Sequence, residues 1–454
     1  MGLTNNDGIV ARQESISLPP SRSMPLAPKQ IPVAAHQARA PSVSNSKCAG
    51  TPDYAIWLDQ LFALAPTTPP CGAAHNLTQQ LKQRLGEPQQ RSIVLLRRQR
   101  RRHANGWGIV HTGEMLWSAT SATKTSNMSW RVRSVIDLWE EASRSRRLPD
   151  DVEMVVATND KPREARLAHL PAPVFSWCTE VAGVGSGPPL QWKGQVPFPS
   201  AYLRRGAGSA LHNMSCKNTS DECSCFLKYR KPIIYYRGNG AEREWGASFP
   251  VDLAASSYPT SRAYQETARF KLAKAGSEPS DRDVLDVALT GFPRVHTRTW
   301  KNVREVLMRK HNITVATQAP MTAAPPARMA LSVASNGWAA ATTLFALNSG
   351  AAMLAILDET VDSGGFPRNM GESYFPMLQA HKHFVPVDYE TLASAARVLN
   401  AHPQRTFALA QAGRAFAKRF LGNECALDLV ELLAWRYVRY LKRGCLQSAV
   451  SAGE

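Results

Sequence analysis

No Cys-x-x-Cys pair occurs in the 454 residues, and no His follows the local trio Cys216, Cys223 and Cys225 at ligand spacing. That argues against the common structural zinc patterns. Met1–Gly50 lacks the apolar run of about 7–15 residues that a secretory signal needs. Residues 15–52 contain no Asp or Glu and are rich in Pro, Ser and Ala, which predicts a disordered tail. Position 6 is Asn6 rather than Ser or Thr, so Met1-Gly2 is not expected to be myristoylated. No repeat of solenoid period is present.

A further absence could be mistaken for a membrane span. Met329–Leu357 carries no charged residue, and that exceeds the roughly 20 residues needed to cross a bilayer. Ser332, Ser335, Asn336, Gly337, Thr342, Thr343, Asn348, Ser349 and Gly350 interrupt it, however. The segment parses better as strand (Met329–Ala334), turn (Ser335–Gly337), helix (Trp338–Leu347), stop (Asn348–Gly350) and strand (Ala351–Leu357). That is a βαβ unit of a parallel sheet, and no transmembrane span is expected.

What is present is ordinary globular material, 44% hydrophobic and 20% charged, long enough for two or three domains. Lys and Arg number 54 against 36 Asp and Glu, a net charge of +18. The excess implies an anionic partner, whether nucleic acid, membrane surface or phosphorylated substrate, without choosing among them. Eight cysteines leave disulfides and buried thiols equally open. Sequons at Asn76, Asn127, Asn213, Asn218 and Asn312 lean toward the secretory pathway. The missing signal leans the other way, and localisation stays open.

The remaining pattern alternates strands and helices. Ser92–Leu96, Trp107–Val110, Val152–Ala157, Pro173–Ser176, Pro232–Tyr236 and Lys382–Val387 read as strands. Trp130–Arg144, Ser261–Ala275, Tyr389–Asn400, Gln404–Leu421 and Ala426–Lys442 read as helices. Residues 183–231 read as a long irregular stretch. The expectation is α/β with parallel sheets throughout.

Residues just past strands are where open parallel sheets bind ligands. Asp160, beyond Val152–Ala157, suits a general base, or it is a turn Asp before Lys161-Pro162. Tyr236-Arg237-Gly238-Asn239, followed by Glu242-Arg243, suits phosphate recognition by backbone and guanidinium, or is an ordinary turn. The Ser335–Trp338 turn opens a helix whose free N–H groups suit a diphosphate, or it is a plain cap. His383 is a phosphate contact or a structural strand-end histidine. Arg91–Pro149 holds twelve Lys/Arg against four acids, and Arg97–Arg102 reads as a solvated loop or as a nuclear or nucleic-acid signal.

The order of these segments, from Leu148 to Arg443, resembles glycosyltransferase family 90, the Rumi-type protein O-glucosyltransferases and fungal capsule-associated xylosyltransferases. The matches are Leu148–Glu153 with Asp160, Pro173–Ser176, Val196–Pro199, Tyr236–Asn239 with Glu242-Arg243, and Glu372–Pro386 ending His383-Phe384-Val385-Pro386-Val387. The resemblance implies two Rossmann-like domains facing a cleft (GT-B type) with C-terminal helices. The expected boundaries are a tail over 1–52, an acceptor-side domain over 53–231, a nucleotide-sugar domain over 232–422, and a closing helix and tail over 423–454.

It further implies an inverting transfer of glucose or xylose from a UDP-sugar to a protein Ser or glycan hydroxyl. No metal or other cofactor is implied, and no nucleic-acid partner. Asp160 would be the catalytic base. The donor would meet Arg237, Gly238, Asn239, Arg243, Asn336, Gly337, Trp338, Glu372 and His383, and the acceptor Trp192, Pro197 and Phe198. Relatives act in the endomembrane lumen as glycoproteins. This sequence departs from the family in three places. Ala334-Ser335 stands for Asp-Gly, Asn239 for the donor Ser, and no Lys or Arg occurs from Met329 to Pro367 where a Ser-x-Arg is usual. A donor-degenerate glycan- or protein-binding member is therefore the alternative.

Overall fold

Val94 and Leu96, two residues apart, are both fully buried, the spacing of side chains on one face of a strand. They begin β1 (Ile93–His103), which continues through Arg97–Arg102. The arginine run is therefore strand, not the loop expected. It stays strand because β2 (Gly106–Met115) pairs with it in register as far as His103↔Gly106. The computed structural model describes residues 46–63, 93–103, 106–115, 130–150, 152–158, 173–177, 179–180, 195–200, 203, 221–238, 268–290, 297–317, 326–333, 340–356, 370–371, 373–374 and 377–451.

In the first half, β1 lies between β2 and β3 (Val152–Ala157), antiparallel to both. Beyond β3, β4 (Val174–Ser176) and β6 (Gln195–Pro197) add in parallel, giving the order β2-β1-β3-β4-β6. The sheet is thus mixed, where an all-parallel one was expected. Only Ala104 and Asn105 separate β1 from β2, and so short a connection closes an antiparallel hairpin, never a parallel crossover. The amphipathic α2 (Trp130–Ser145) packs on this sheet through Val132, Val135, Ile136 and Trp139.

The second half is the parallel sheet expected. Its strands are β7 (Lys231–Gly238), β8 (Leu285–Leu289), β9 (Ala327–Val333), β10 (Ala352–Ile356) and β12 (Phe384–Val387). Their spatial order is β8-β7-β9-β10-β12, every pair parallel. Counted by appearance that is 2-1-3-4-5, a doubly wound arrangement. Alternation along the strands feeds both faces. Ala330, Met353, Ala355 and Phe384 join one core with Leu344 and Leu347 of α6 (Ala340–Asn348). Met329, Leu331, Leu354 and Ile356 join the other with Leu272 of α4 (Ala268–Ala275) and Leu392 of α7 (Leu392–Ala401). Pro386 lies in β12, an edge strand, where its missing N–H is tolerated. The uncharged 329–357 segment is the β9-α6-β10 crossover, and no helix among the described residues is long and apolar enough to cross a membrane.

Among the described residues, a short ladder and the C-terminal helices join the halves. The two-residue β5 (Thr179–Glu180) pairs antiparallel with β11 (Met370–Gly371). The chain also returns at its end. α8 (Pro403–Phe420) packs on the second sheet, Gly422 turns at φ +123°, and α9 (Asn423–Ser451) packs against α1 (Thr51–Ala63), α2 and β3. A left-handed φ of this kind favours glycine.

The predicted tail over 1–52 ends too late, because Ser46–Pro52 is built into this interface. Cys48 is disulfide-bonded to Cys425, with Cα atoms 4.8 Å apart. The fully buried Asp428 accepts from the Ser46 hydroxyl, from Thr51 Oγ1 at 2.9 Å and from the Cys48 amide at 3.2 Å. Arg146 Nε donates to its other oxygen at 2.6 Å.

Candidate functional site

In a 2-1-3-4-5 sheet the chain leaves the first strand to one side and returns on the other, which opens a crevice at the carboxyl ends of those two strands. Here they are β7 and β9, with Tyr235 level with Ala330. β7 ends at Gly238 and β9 at Val333. The two segments singled out for the donor follow immediately: Asn239 and Arg243 after β7, and Asn336, Gly337 and Trp338 between β9 and α6. All five lie outside the described residues, as do Asp160, Trp192 and Glu372.

The framework around that edge is described. α6 follows β9 in the β9-α6-β10 crossover, so it runs back from the carboxyl edge and its amino end, the positive end of its dipole, is on the crevice side. Ser332 of β9 and Thr343 of α6, both buried, share a hydrogen bond of 2.6 Å that fixes the helix on its strand. At the far end, Arg230 is the cap residue between α3 (Glu222–Tyr229) and β7. Its guanidinium is buried and donates to Ala327 O at 2.9 Å, where β9 starts, and to Ser349 O at 2.6 Å, where α6 ends. A cation there complements the negative ends of two helices. Burial, and then the charge of Arg414, pulls its pKa down to about 10. One residue thus ties β7, β9 and α6 together at the amino edge.

Arg237 does not extend past the carboxyl edge. Its guanidinium bends back along the sheet, donating to Asp286 Oδ1 at 2.6 Å and Asp286 O at 2.8 Å, and lies 4.6 Å from the Tyr235 ring centroid. Asp286 is level with Tyr235, two residues short of Arg237. Gly238 is covered by the Tyr236 side chain, and a Cβ there would lie within 2.8 Å of its ring. That contact explains glycine at this position without a ligand.

His383 occupies the opposite edge. It precedes Phe384, the first residue of β12, which is level with Met353 near the start of β10. Its Nδ1 accepts from the Gln379 amide at 2.9 Å, and its ring packs 4.9 Å from that of Phe416 on α8. Burial, and then the charge of Lys382, lowers its pKa to about 4. The structure therefore brings a neutral, packed His383 to the amino edge and not to the crevice.

On the first sheet, Ala157, Ser176 and Pro197 are level at the carboxyl edge. Asp160 follows β3 by three residues, beyond the buried Thr158. The acceptor role expected of Pro197 and Phe198 meets no exposed surface. Pro197 is buried, and Phe198 is fully buried in the core with its amide donating to Ser176 O at 2.7 Å. Two residues that sequence reasoning missed, Arg230 and Asp286, hold the site's framework. The mostly apolar Val284–Leu289 run that contains Asp286 carried a strand signal the sequence reading did not use, and Arg230 carried none.

No family model matches the chain, and no curated protein matches it. Among solved structures, sucrose-phosphate synthase from Thermosynechococcus elongatus aligns with a TM-score of 0.28 at 11% identity. The alignment covers 73% of this chain and 65% of that one, so the chain spans less than two thirds of that protein's length. A superposition that loose carries no activity across.

Proposed function

We propose that the chain is an inverting glycosyltransferase that moves a sugar, glucose or xylose, from a UDP-sugar to a protein Ser or glycan hydroxyl. One observation carries the reading. The segment 236–243 resembles a donor-binding motif, and the turn 335–338 opens a helix although it departs from the family there. They lie at the ends of β7 and β9, the two strands that flank the switch point of the described parallel sheet, the position where such sheets bind nucleotides.

In this reading Asp160 removes the acceptor proton while the acceptor oxygen attacks the anomeric carbon from the face opposite the departing UDP. The diphosphate charge is met by Arg243 and by the N–H groups at the start of α6. Neither step uses a metal. Replacing Asp160 by Asn keeps the shape of the side chain and removes its basicity. Transfer from UDP-glucose or UDP-xylose, followed as UDP release with acceptor present, should fall at least about 100-fold while UDP affinity is retained. Undiminished transfer by Asp160→Asn would contradict the assignment.

A second reading has its own observation. Arg237 is engaged by Asp286, and residues 329–367 contain no Lys or Arg, so the diphosphate has fewer cations than the resemblance implies. A donor-degenerate binding protein of the same fold would show no affinity for UDP.

A further inference from the structure

We infer that Asn312 is an N-glycosylation site, and that the chain passes through an oxidising, glycan-transferring compartment. The inference is independent of the proposed transferase activity. Asn312-Ile313-Thr314 is a sequon, and two separate features of the structure turn it from a chance tripeptide into an available acceptor.

The first is local geometry. α5 (Thr297–His311) ends at His311, and Asn312 turns the chain at φ +54°, a left-handed conformation that Asn adopts more readily than most residues. The turn divides the three residues of the sequon. Ile313 is the anchor: it is buried, and its amide donates to Leu307 O at 3.0 Å. Asn312 and Thr314 are exposed. Thr314 is held by its backbone, with its amide donating to Ser277 Oγ at 3.2 Å and its carbonyl accepting from Leu289 N at 3.2 Å. Asn312 Nδ2 donates to Ser277 O at 3.5 Å. The amide carries two hydrogens, so substitution of one leaves the other for Ser277. A glycan on Nδ2 leaves one N–H on that nitrogen, and the backbone bonds of Ile313 and Thr314 do not involve it.

The second feature is redox state. Cys48 and Cys425 form a disulfide, and Cys225 is disulfide-bonded as well. Disulfides of this structural kind persist in secretory and extracellular compartments and are rare in the cytosol. Sequons are modified in the same compartments.

The chemistry is a group transfer from a lipid-diphosphate-linked oligosaccharide, catalysed by the cell's own transferase. Nδ2 bonds to the anomeric carbon of the first sugar and gives up one proton. The bond from that carbon to the diphosphate oxygen breaks, its electron pair leaves with the lipid diphosphate, and no electrons are gained or lost overall. The position has a consequence for the sheet. Val315 bridges Leu289 of β8, so Asn312 lies beyond the outer strand, with β8 between it and the β7/β9 crevice. A glycan there is separated from the crevice by β8 and leaves the crevice open.

The test uses the full chain isolated from its own cells. Treatment with peptide-N-glycosidase in heavy-oxygen water, followed by peptide mass spectrometry, should find position 312 converted to the labelled acid. Thr314→Val should abolish the label at 312, and Thr314→Ser should keep it, which separates loss of the acceptor from misfolding. Asn312 recovered only as the unmodified amide would overturn the inference. So would label that survives Thr314→Val.

Discussion

His383 shows how a residue chosen for one role can be committed to another. Its Nδ1 accepts from the Gln379 amide, so the neutral ring carries its proton on Nε2. Burial keeps it neutral, with a pKa of about 4 against an ordinary 6.5. Between those values the unfolded chain binds a proton that the folded chain does not, so stability rises with pH across that window. The histidine's contribution should therefore be intact above about pH 6.5, decline as pH falls toward 4, and level off below, a loss of about 1–3 kcal/mol. Urea unfolding at pH 7 and pH 4.5 measures it. His383→Gln, which keeps an acceptor for Gln379, should flatten this part of the slope. A slope unchanged in the variant would place the titrating group elsewhere.

Arg237 and Arg230 divide in the same way. The sequence offered Arg237, because it stands beside Gly238, and the structure engages it with Asp286. Arg230 ends an undistinguished Lys228-Tyr229-Arg230 run, yet it holds three elements through two carbonyls. Partners of this sort belong to the tertiary fold and leave no local pattern, which is why residue-level roles were the least legible part of the sequence.

Among the elements, those written by strong local patterns were read well. The β9-α6-β10 crossover was legible because apolar runs of strand and helix length are separated by Ser-Asn-Gly and Asn-Ser-Gly stops. α7 and α8 were found within a few residues. β1 was cut short because six polar residues in a row contradict a strand by composition, and only pairing with β2 overrides that. α3 was missed in a Pro-rich, irregular stretch, although Asp221 caps it through the Ser224 amide at 2.9 Å.

α9 was found but its place was not. Nothing in Asn423–Ser451 says that it crosses back to the first sheet and closes a disulfide 377 residues away. The disulfide and Asp428 hold Ser46–Pro52 and α9 as one joint. Replacing both Cys48 and Cys425 by Ser should lower unfolding stability by about 2–5 kcal/mol, read as a fall in thermal midpoint. Reductant should lower the wild-type midpoint at least as far, and should move the double variant less, because only the disulfide at Cys225 is left there to break. Equal midpoints for the two proteins would show that the polar contacts to Asp428 suffice alone.

At the scale of the whole molecule, the described residues build one mixed and one parallel sheet, joined by the β5–β11 ladder and by the return of α9. The alternation of strands and helices was enough to expect α/β layers. The antiparallel β1–β2 hairpin was the departure. The candidate donor site rests on two short segments outside the described residues, which follow β7 and β9 on either side of the switch point. The excess of positive charge fits a nucleoside diphosphate but does not select it.

The central claim is that this crevice binds a uridine nucleotide, and calorimetric titration of the full chain with UDP tests it most directly. The account predicts saturable one-to-one binding that Arg243→Ala weakens at least about 10-fold, the loss expected when a charge-assisted hydrogen bond worth roughly 1.5–3 kcal/mol is removed. No heat of binding from a folded wild-type sample would contradict it, and would leave the fold with a donor crevice that no longer holds a donor.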